Sequence, residues 1–364
     1  MINKMEAVYE FIYKDRYSCK PSEIDDANKL ILKNLEEFNL TKKDINNWIV
    51  FNVGTGREAI TFSKIGVKKC YLADISPKTK LSVEKLQKNG SFTNVIPITA
   101  DICNKNFSLP EKVDFIYLNG VYHHLHSPIN ALNNLNKFSK IGTRIFFRLY
   151  KTGSLQYFIS DYVRRYLKYD DNFNFNKAFE SLFGEVPINQ DLSHKDPRVH
   201  LYEMCYDNMF VPNLNLFQPD NLYQYYEENG YEALNKLYGY SYEHEVKNKG
   251  GTGYSAYFIK NKEVIIKEDH KNLMKSVDQL NINYKEDFII KTVKLMIKVL
   301  KNIQNLDSFE KNKLSIELFY ISQIYRLKHY CDEMPSSMNI DDTNSLSTGE
   351  EIHKRLQLKL SEFL

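Results

Sequence analysis

The sequence lacks the features that mark zinc-binding, secreted and membrane-spanning proteins. Its five cysteines are scattered over 364 residues, with no Cys-x-x-Cys pair and no histidines at zinc-ligand spacing, so we expect buried free thiols. No apolar stretch reaches the ~18 residues of a membrane span, and the charged N-terminus has no apolar segment of the kind a signal peptide needs. We therefore expect a cytoplasmic protein without a membrane partner.

A strong excess of charge of either sign is also missing. The chain has 49 basic and 46 acidic side chains, which leave a formal charge of +3. This balance argues against extended nucleic-acid binding, although a local basic patch stays possible. The length exceeds one typical domain, so we expect a core domain of roughly 200 residues with additions.

Short apolar runs alternate with amphipathic segments between residues 46 and 150. The period predicts five strands, at 48–53, 70–73, 95–98, 113–118 and 144–147, the last after a turn at 141–142. It predicts helices between them, at 59–65, 78–88 and 129–138. Strict alternation of this kind is typical of an α/β fold with a doubly wound, mostly parallel sheet. Residues 1–45 precede it as a helical segment.

The alternation stops after residue 150. Residues 151–218 are predicted to form an inserted cap. Residues 219–262 contain a helix and a terminal antiparallel hairpin, with strands at 231–238 and 254–259, that complete the sheet. Residues 263–364 form a helical C-terminal extension whose apolar stripes either pack as core or provide a homodimer surface.

Three groups of polar or glycine residues fall at the ends of consecutive predicted strands. The turn Gly54-Thr55-Gly56 follows the first strand, where glycines let a ligand approach the backbone and the helix N-terminus offers free N–H groups. Asp74 ends the second strand, where a carboxylate can accept both hydroxyls of a ribose. Asp101 follows the third strand and is placed to accept from an adenine amino group. Open α/β sheets bind ligands at this edge, although each acid alone can also be a helix cap.

Two adjacent histidines follow the fourth strand at the same edge. Either His123 or His124 can act as a general base because an imidazole titrates near neutral pH. The alternative is that one caps the loop and the other packs in the core. A metal ion bound by His123, His124 and His126 is not expected, since adjacent side chains in a loop rarely converge on one ion.

Four segments of the chain resemble the successive motifs of class I S-adenosylmethionine-dependent methyltransferases. They are residues 52–56 (NVGTG), 72–76 (LADIS), 99–102 (TADI) and 114–125 (DFIYLNGVYHHL). The subgroup with Gly-Val-x-His-His after strand four is the most similar, and the resemblance covers residues 46–150 well. It implies a Rossmann-like fold and S-adenosylmethionine as cofactor, with S-adenosylhomocysteine as product.

The resemblance also assigns roles to individual residues. Gly54, Thr55 and Gly56 border the methionine part of the cofactor, and Asn52 lies where the family usually has Asp or Glu. Asp74 and Ile75 contact the ribose, and Asp101 and Ile102 contact the adenine. Asn119, Gly120, Val121 and Tyr122 form the floor beneath the sulfonium. A second departure is Glu58, which occupies the position of a third small residue.

The acceptor is expected to contact the cap. The predicted contacts are Tyr122, Tyr157, Arg164, Arg165 and Arg198. An arginine pair beside tyrosines can hold a phosphate or carboxylate through forked hydrogen bonds, or it can form a solvated helix face.

Methylation of a small metabolite or glycan precursor is the function that these features favour. The atom methylated is left open between oxygen, nitrogen and carbon. The alternatives are a tRNA or protein methyltransferase, an NAD-dependent oxidoreductase and a non-catalytic scaffold. The oxidoreductase enters because residues 54–59 also satisfy Gly-x-Gly-x-x-Ala.

Overall fold

The chain forms two compact units in a computed structural model. The structure describes residues 21–150, 172–184, 219–234, 253–265 and 309–318, with short stretches and single positions between 202 and 217 and at 307, 358 and 361. The first unit comprises residues 1–150, 211–239 and 253–275, and the second comprises residues 151–210, 240–252 and 276–364. The first unit contains the sheet.

Seven strands form one sheet in the order β3-β2-β1-β4-β5-β7-β6. The strands are β1 (Ile49–Val53), β2 (Lys69–Asp74), β3 (Val95–Thr99), β4 (Val113–Asn119), β5 (Ser139–Tyr150), β6 (Tyr231–Ala233) and β7 (Gly253–Lys260). Strands β1 to β5 run parallel, whereas β7 is antiparallel to both of its neighbours. The predicted α/β fold with a terminal antiparallel hairpin is confirmed.

Helices occur in both of the units. They are α1 (Pro21–Glu37), α2 (Arg57–Ile65), α3 (Pro77–Gln87), α4 (Pro128–Phe138), α5 (Asn172–Phe183) and α6 (Pro219–Glu228). Glycines in the left-handed conformation, Gly56 and Gly66, bound α2 at its two ends. Helix α3 begins where the Ser76 side chain accepts a hydrogen bond from the Lys78 N–H, with a proline at its first position. Local sequence therefore sets both limits of α2 and the start of α3.

Both faces of the sheet are covered by apolar side chains. Along β1, Phe51 and Val53 pack on one face and Val50 packs on the other. The apolar cluster on the Val50 face, called the second layer below, contains Phe115, whose ring lies edge-on to those of Phe38 and Phe62. Burial on both faces explains why the strands read as continuous apolar runs in the sequence.

Two boundaries in the sheet differ from the predicted ones. Strand β5 begins at Ser139 instead of 144, because Ser139 pairs with Val113 ahead of an irregularity in the ladder. The Thr143 hydroxyl, buried between them, donates to the Val113 carbonyl at 2.6 Å. A predicted turn at 141–142 therefore lies inside the strand. Strand β6 ends at Ala233, well before the predicted 238.

The described part of the second unit is helical. Helix α5 packs an aromatic cluster in which Phe175 and Phe179 both contact Tyr202. Residues 309–318 form a helix whose Leu314 and Leu318 are buried, as their spacing predicts. The other predicted helices of the cap and of the C-terminal extension lie outside the described residues, as does the possible dimer surface. Within the described residues, no helix combines the length and apolar character needed to cross a bilayer.

Gly230, which ends α6, provides a test of how tightly the hairpin is joined to the sheet. Its φ is +91°, and a Cβ there would lie 2.6 Å from the Lys262 carbonyl oxygen. We expect Gly230→Ala to lower the free energy of unfolding by about 2–3 kcal/mol, because backbone strain and a contact with rigid backbone add together. Urea unfolding followed by the fluorescence of Trp48, the only tryptophan, measures this in the first unit.

Gly90→Ala is the matched control for this substitution. Gly90 also has a positive φ, +76°, but nothing lies within 4 Å of its Cβ position. The expected cost is therefore the backbone term alone, about 1 kcal/mol. Equal losses for the two variants would show that the contact with Lys262 is relieved at no cost.

Candidate active site

The turn between β1 and α2 lies at the carboxyl edge of the sheet. Gly54 and Gly56 have φ values of +127° and +99°, which L side chains rarely adopt. The Gly54 N–H donates to the Ala73 carbonyl at 3.2 Å, which ties the turn to β2. A Cβ on Gly54 would lie 3.8 Å from Val121 Cγ2, in the segment that follows β4. The turn and this segment thus lie side by side, with Thr55 half-buried between the two glycines.

The two predicted acids occupy the same edge and are half-buried. Asp74 ends β2, and its Oδ1 accepts the Ser76 N–H at 2.7 Å. Asp101 follows β3, and its Oδ1 accepts the Cys103 N–H at 2.9 Å. These bonds to backbone N–H groups orient both carboxylates.

The two predicted apolar contacts beside these acids differ in exposure. Ile75 is half-buried next to Asp74 and retains surface for a ligand. Ile102 is 3% exposed and belongs to the core, although its carbonyl accepts a bond from Asn134. Any contact between Ile102 and an adenine therefore involves the backbone or the edge of the side chain.

Asp101, Cys103 and His126 offer potential metal ligands within 4.8 Å of one another. His126 Nε2 lies 3.6 Å from Asp101 Oδ2. Burial raises the pKa of the Cys103 thiol to about 12, which disfavours the thiolate that a metal needs. These three side chains are therefore better described as an Asp101–His126 contact beside a buried, protonated thiol than as a metal site.

The segment after β4 brings backbone groups to the edge. Gly120 has a φ of +75°, and its N–H donates to the Arg148 carbonyl at 3.1 Å. Asn119 and Val121 are half-buried on either side of it. Tyr122 departs from the predicted substrate contact: its side chain is completely buried, and its hydroxyl donates to the Pro128 carbonyl at 2.9 Å. A phenol stacked on Phe217 inside the core has no surface left for an acceptor.

His123 and His124 differ in their hydrogen bonds. The Tyr150 N–H donates to His123 Nδ1 at 3.3 Å, so the neutral ring carries its proton on Nε2. His123 is fully buried, and burial holds its pKa well below the usual value, with the charges of His124 and Arg148 acting in the same direction. Within the described residues, His123 Nε2 has no hydrogen-bond partner. His123 is thus a buried hydrogen-bond donor.

His124 has the opposite tautomer. Its Nδ1 lies 3.1 Å from the Asn213 carbonyl oxygen, which can only accept, so Nδ1 carries the proton. The lone pair is then on Nε2. The ring is 5% exposed and lies edge-on to Tyr150, which in turn stacks on His123 at 3.6 Å between ring centroids. Of the two predicted bases, His124 is the one whose Nδ1 donates a hydrogen bond.

The supports of these histidines come from distant parts of the sequence. Asn215 follows Asn213 closely, and its N–H donates to the His123 carbonyl at 2.7 Å, while its side chain donates to the Leu125 carbonyl at 2.6 Å. No motif identifies Tyr150, Asn213 or Asn215, because they act through backbone groups or ring faces that many residue types provide. The predicted acceptor contacts of the cap, Tyr157, Arg164, Arg165 and Arg198, lie outside the described residues.

The carboxyl edge of the sheet fits a nucleoside cofactor. Gly54 and Gly56 have no Cβ atoms that would keep a ligand away from the backbone, and acids follow β2 and β3. Asn52 Oδ1 is buried and has no hydrogen-bond partner in the described part of the chain. A methyltransferase domain family matches residues 24–236, more than half of the chain. The chain belongs to this methyltransferase family. S-adenosylmethionine is its methyl donor. No curated protein matches the enzyme.

Two solved methyltransferase structures are similar to parts of this chain. The N-methyltransferase NodS from Bradyrhizobium japonicum WM9, in complex with S-adenosyl-L-homocysteine, is 16% identical, with a TM-score of 0.32, over 41% of this chain and 74% of NodS. Magnesium protoporphyrin IX methyltransferase from Synechocystis PCC 6803, with bound SAH, is 12% identical, with a TM-score of 0.39, over 70% of this chain and 93% of that enzyme.

The strand order disagrees with the oxidoreductase alternative. A dinucleotide-binding enzyme continues its parallel sheet with a second mononucleotide-binding half. In this methyltransferase β5 is followed at the sheet edge by the antiparallel strands β7 and β6. The glycine turn alone does not separate the two classes, whereas the second half of the sheet does.

Proposed function

We propose that the enzyme methylates an oxygen, nitrogen or carbon atom of a small acceptor, a metabolite or glycan precursor, and that His124 removes the acceptor's proton. The observation that carries this proposal is the hydrogen bond between His124 Nδ1 and the Asn213 carbonyl. It fixes the tautomer with a basic Nε2 on a ring that is 95% shielded from water. A general base needs this combination of a defined lone pair and a fixed orientation.

The residues at the carboxyl edge are proposed to hold the cofactor as the sequence predicts. Gly54 and Gly56 admit its amino-acid end, Asp74 accepts the ribose hydroxyls, and Asp101 accepts from the adenine. Asn119, Gly120 and Val121 lie beneath the sulfur. When bound, S-adenosylmethionine supplies an electrophilic methyl group on a sulfonium.

The protein's own contribution is alignment and proton removal. Methyl transfer is an in-line displacement, so catalysis depends mainly on holding the acceptor atom in line with the methyl group. His124 Nε2 takes the proton as the acceptor atom becomes bonded to the methyl group.

Two features support a small acceptor over an extended one. The near balance of 49 basic and 46 acidic side chains gives little general attraction for a polyanion. The basic nitrogen also belongs to a ring that is only 5% exposed, which a compact molecule reaches more readily than a folded macromolecule. A tRNA or protein acceptor is the alternative that the first experiment separates.

Labelled methyl transfer from S-adenosylmethionine into cell extract tests the acceptor class. We expect the label in the low-molecular-mass fraction, with the yield unchanged by prior nuclease or protease treatment. Loss of labelling after nuclease treatment, with binding that weakens steeply as salt increases, would identify an RNA acceptor instead.

Asp74→Ala tests the cofactor assignment. We expect it to lower the affinity for S-adenosylhomocysteine by about 1–3 kcal/mol, because two hydrogen bonds to a partly buried ribose are lost. Isothermal titration calorimetry measures the change. Glu111→Ala is the matched control: this acid contacts Lys69 and Tyr71 at the opposite edge of the sheet and its loss should leave affinity unchanged. Unchanged affinity in Asp74→Ala would remove the ribose assignment.

The remaining sequence-based expectations stay predictions. These are the acceptor contacts Tyr157, Arg164, Arg165 and Arg198, the homodimer through the C-terminal helices, and the cytoplasmic location.

A further inference from the structure

Glu58 is a buried acid in the first turn of the helix that follows Gly54-Thr55-Gly56. It is the second residue of α2 and is 5% exposed. Its Oε1 accepts bonds from Arg57 Nε at 2.9 Å and from Asn119 Nδ2 at 3.2 Å. Because Asn119 ends β4, the carboxylate bridges the glycine turn and the segment beneath the sulfur. Glu58 therefore lies between the two chain segments assigned to the cofactor.

The carboxylate of Glu58 is only partly satisfied by these contacts. Both bonds go to Oε1, and the described residues provide no hydrogen bond to Oε2. A buried carboxylate is costly to keep ionised unless cations or N–H groups surround it. The Arg57 side chain is 35% exposed, so water weakens its attraction for the carboxylate. The site thus has the capacity for a second cation.

Asn52 occupies the position on β1 where the family usually has an acid, so this position carries no negative charge. It is completely buried on β1, its Nδ2 donates to the Tyr117 carbonyl at 3.0 Å, and its Oδ1 has no partner in the described part of the chain. An amide carries no net charge, so this side chain cannot neutralise a cation. Position 52 on β1 therefore lacks an acid, whereas Glu58, at the start of α2, provides one.

We propose that Glu58 is the anionic partner of the α-ammonium group of the methyl donor, in place of an acid at position 52. Arg57 and Asn119 hold the carboxylate so that Oε2 receives the ammonium. This inference rests on the proposed cofactor pose, in which Gly54 and Gly56 border the amino-acid end. It makes Glu58 a binding residue whose loss is felt only by ligands that carry that end.

Two ligands that differ only at the amino-acid end test the proposal. S-adenosylhomocysteine has the ammonium, whereas 5′-methylthioadenosine keeps the adenine, ribose and sulfur without it. By calorimetry we expect Glu58→Gln to weaken S-adenosylhomocysteine binding about 10-fold or more and to leave 5′-methylthioadenosine binding within about 2-fold, since a charged hydrogen bond is removed from one ligand only. Adding Asn52→Asp to Glu58→Gln should restore part of the affinity.

The control variants separate this inference from the cofactor pose. Asp74→Ala should weaken both ligands equally, because both have the ribose, and Glu58→Asp keeps the charge should Glu58→Gln prove unstable. Equal weakening of both ligands in Glu58→Gln, or unchanged binding of S-adenosylhomocysteine, would overturn the role of Glu58 while Asp74→Ala still supports the pose. Failure of the unmodified enzyme to bind either ligand would overturn both.

Discussion

Replacing His124 with alanine is expected to lower kcat about 100-fold or more while leaving cofactor affinity unchanged. The substitution removes the imidazole of His124, the ring whose Nδ1 donates to the Asn213 carbonyl, whereas His123 Nδ1 already accepts the Tyr150 N–H. Turnover is measured with the acceptor found by labelled methyl transfer, and cofactor affinity by calorimetry with S-adenosylhomocysteine. The split between kcat and binding distinguishes a base from a cofactor contact.

His124→Asn separates base catalysis from positioning. The asparagine amide can still donate to the Asn213 carbonyl, but it has no basic nitrogen. A base requires both variants to be slow to a similar extent. Activity near that of the unmodified enzyme in His124→Asn would mean that the contact with Asn213, rather than proton removal, is what the reaction needs.

Phe115→Ala is expected to lower the free energy of unfolding of the first unit by about 3–5 kcal/mol. The ring is completely buried and packs edge-on against Phe38, Trp48, Phe62 and Tyr117, so its removal leaves a cavity that the rigid sheet cannot close. Urea unfolding followed by Trp48 fluorescence reports on this layer directly.

Leu81→Ala is the control for Phe115→Ala. Leu81 also loses a large apolar side chain, but it is 62% exposed, so we expect a change within about 0.5 kcal/mol. A loss below about 1 kcal/mol in Phe115→Ala would show that the second layer repacks around the gap.

The sheet could be read from the sequence because its signals are local. Apolar runs of five to seven residues, such as β1 and β4, are buried on both faces, and glycines or prolines mark the helices between them. The boundary of β5 could not be read, because Ser139 joins the strand through pairing with Val113 across the sheet. Tertiary pairing there outweighs the turn signal of the glycine at 142.

The candidate active site was also only partly predictable from the sequence. Gly54, Asp74 and Asp101 were predictable because each follows a strand, and parallel strands place their ends together. The roles of His123 and His124 were not, because they depend on the partner of each Nδ1. Those partners, Tyr150 and the Asn213 carbonyl, lie 27 and 89 residues away in the chain. Periodicity carries no information about such contacts.

Tyr150 and Asn213 also mark where residues 151–210 leave and rejoin the first unit. Tyr150 stacks on His123, and the returning segment contacts His124 through Asn213 and the His123 carbonyl through Asn215. The two junctions of the insertion are thus the same residues that set both tautomers. Because both of these contacts belong to the first unit, replacing the insertion with that of another family member is expected to leave both tautomers unchanged.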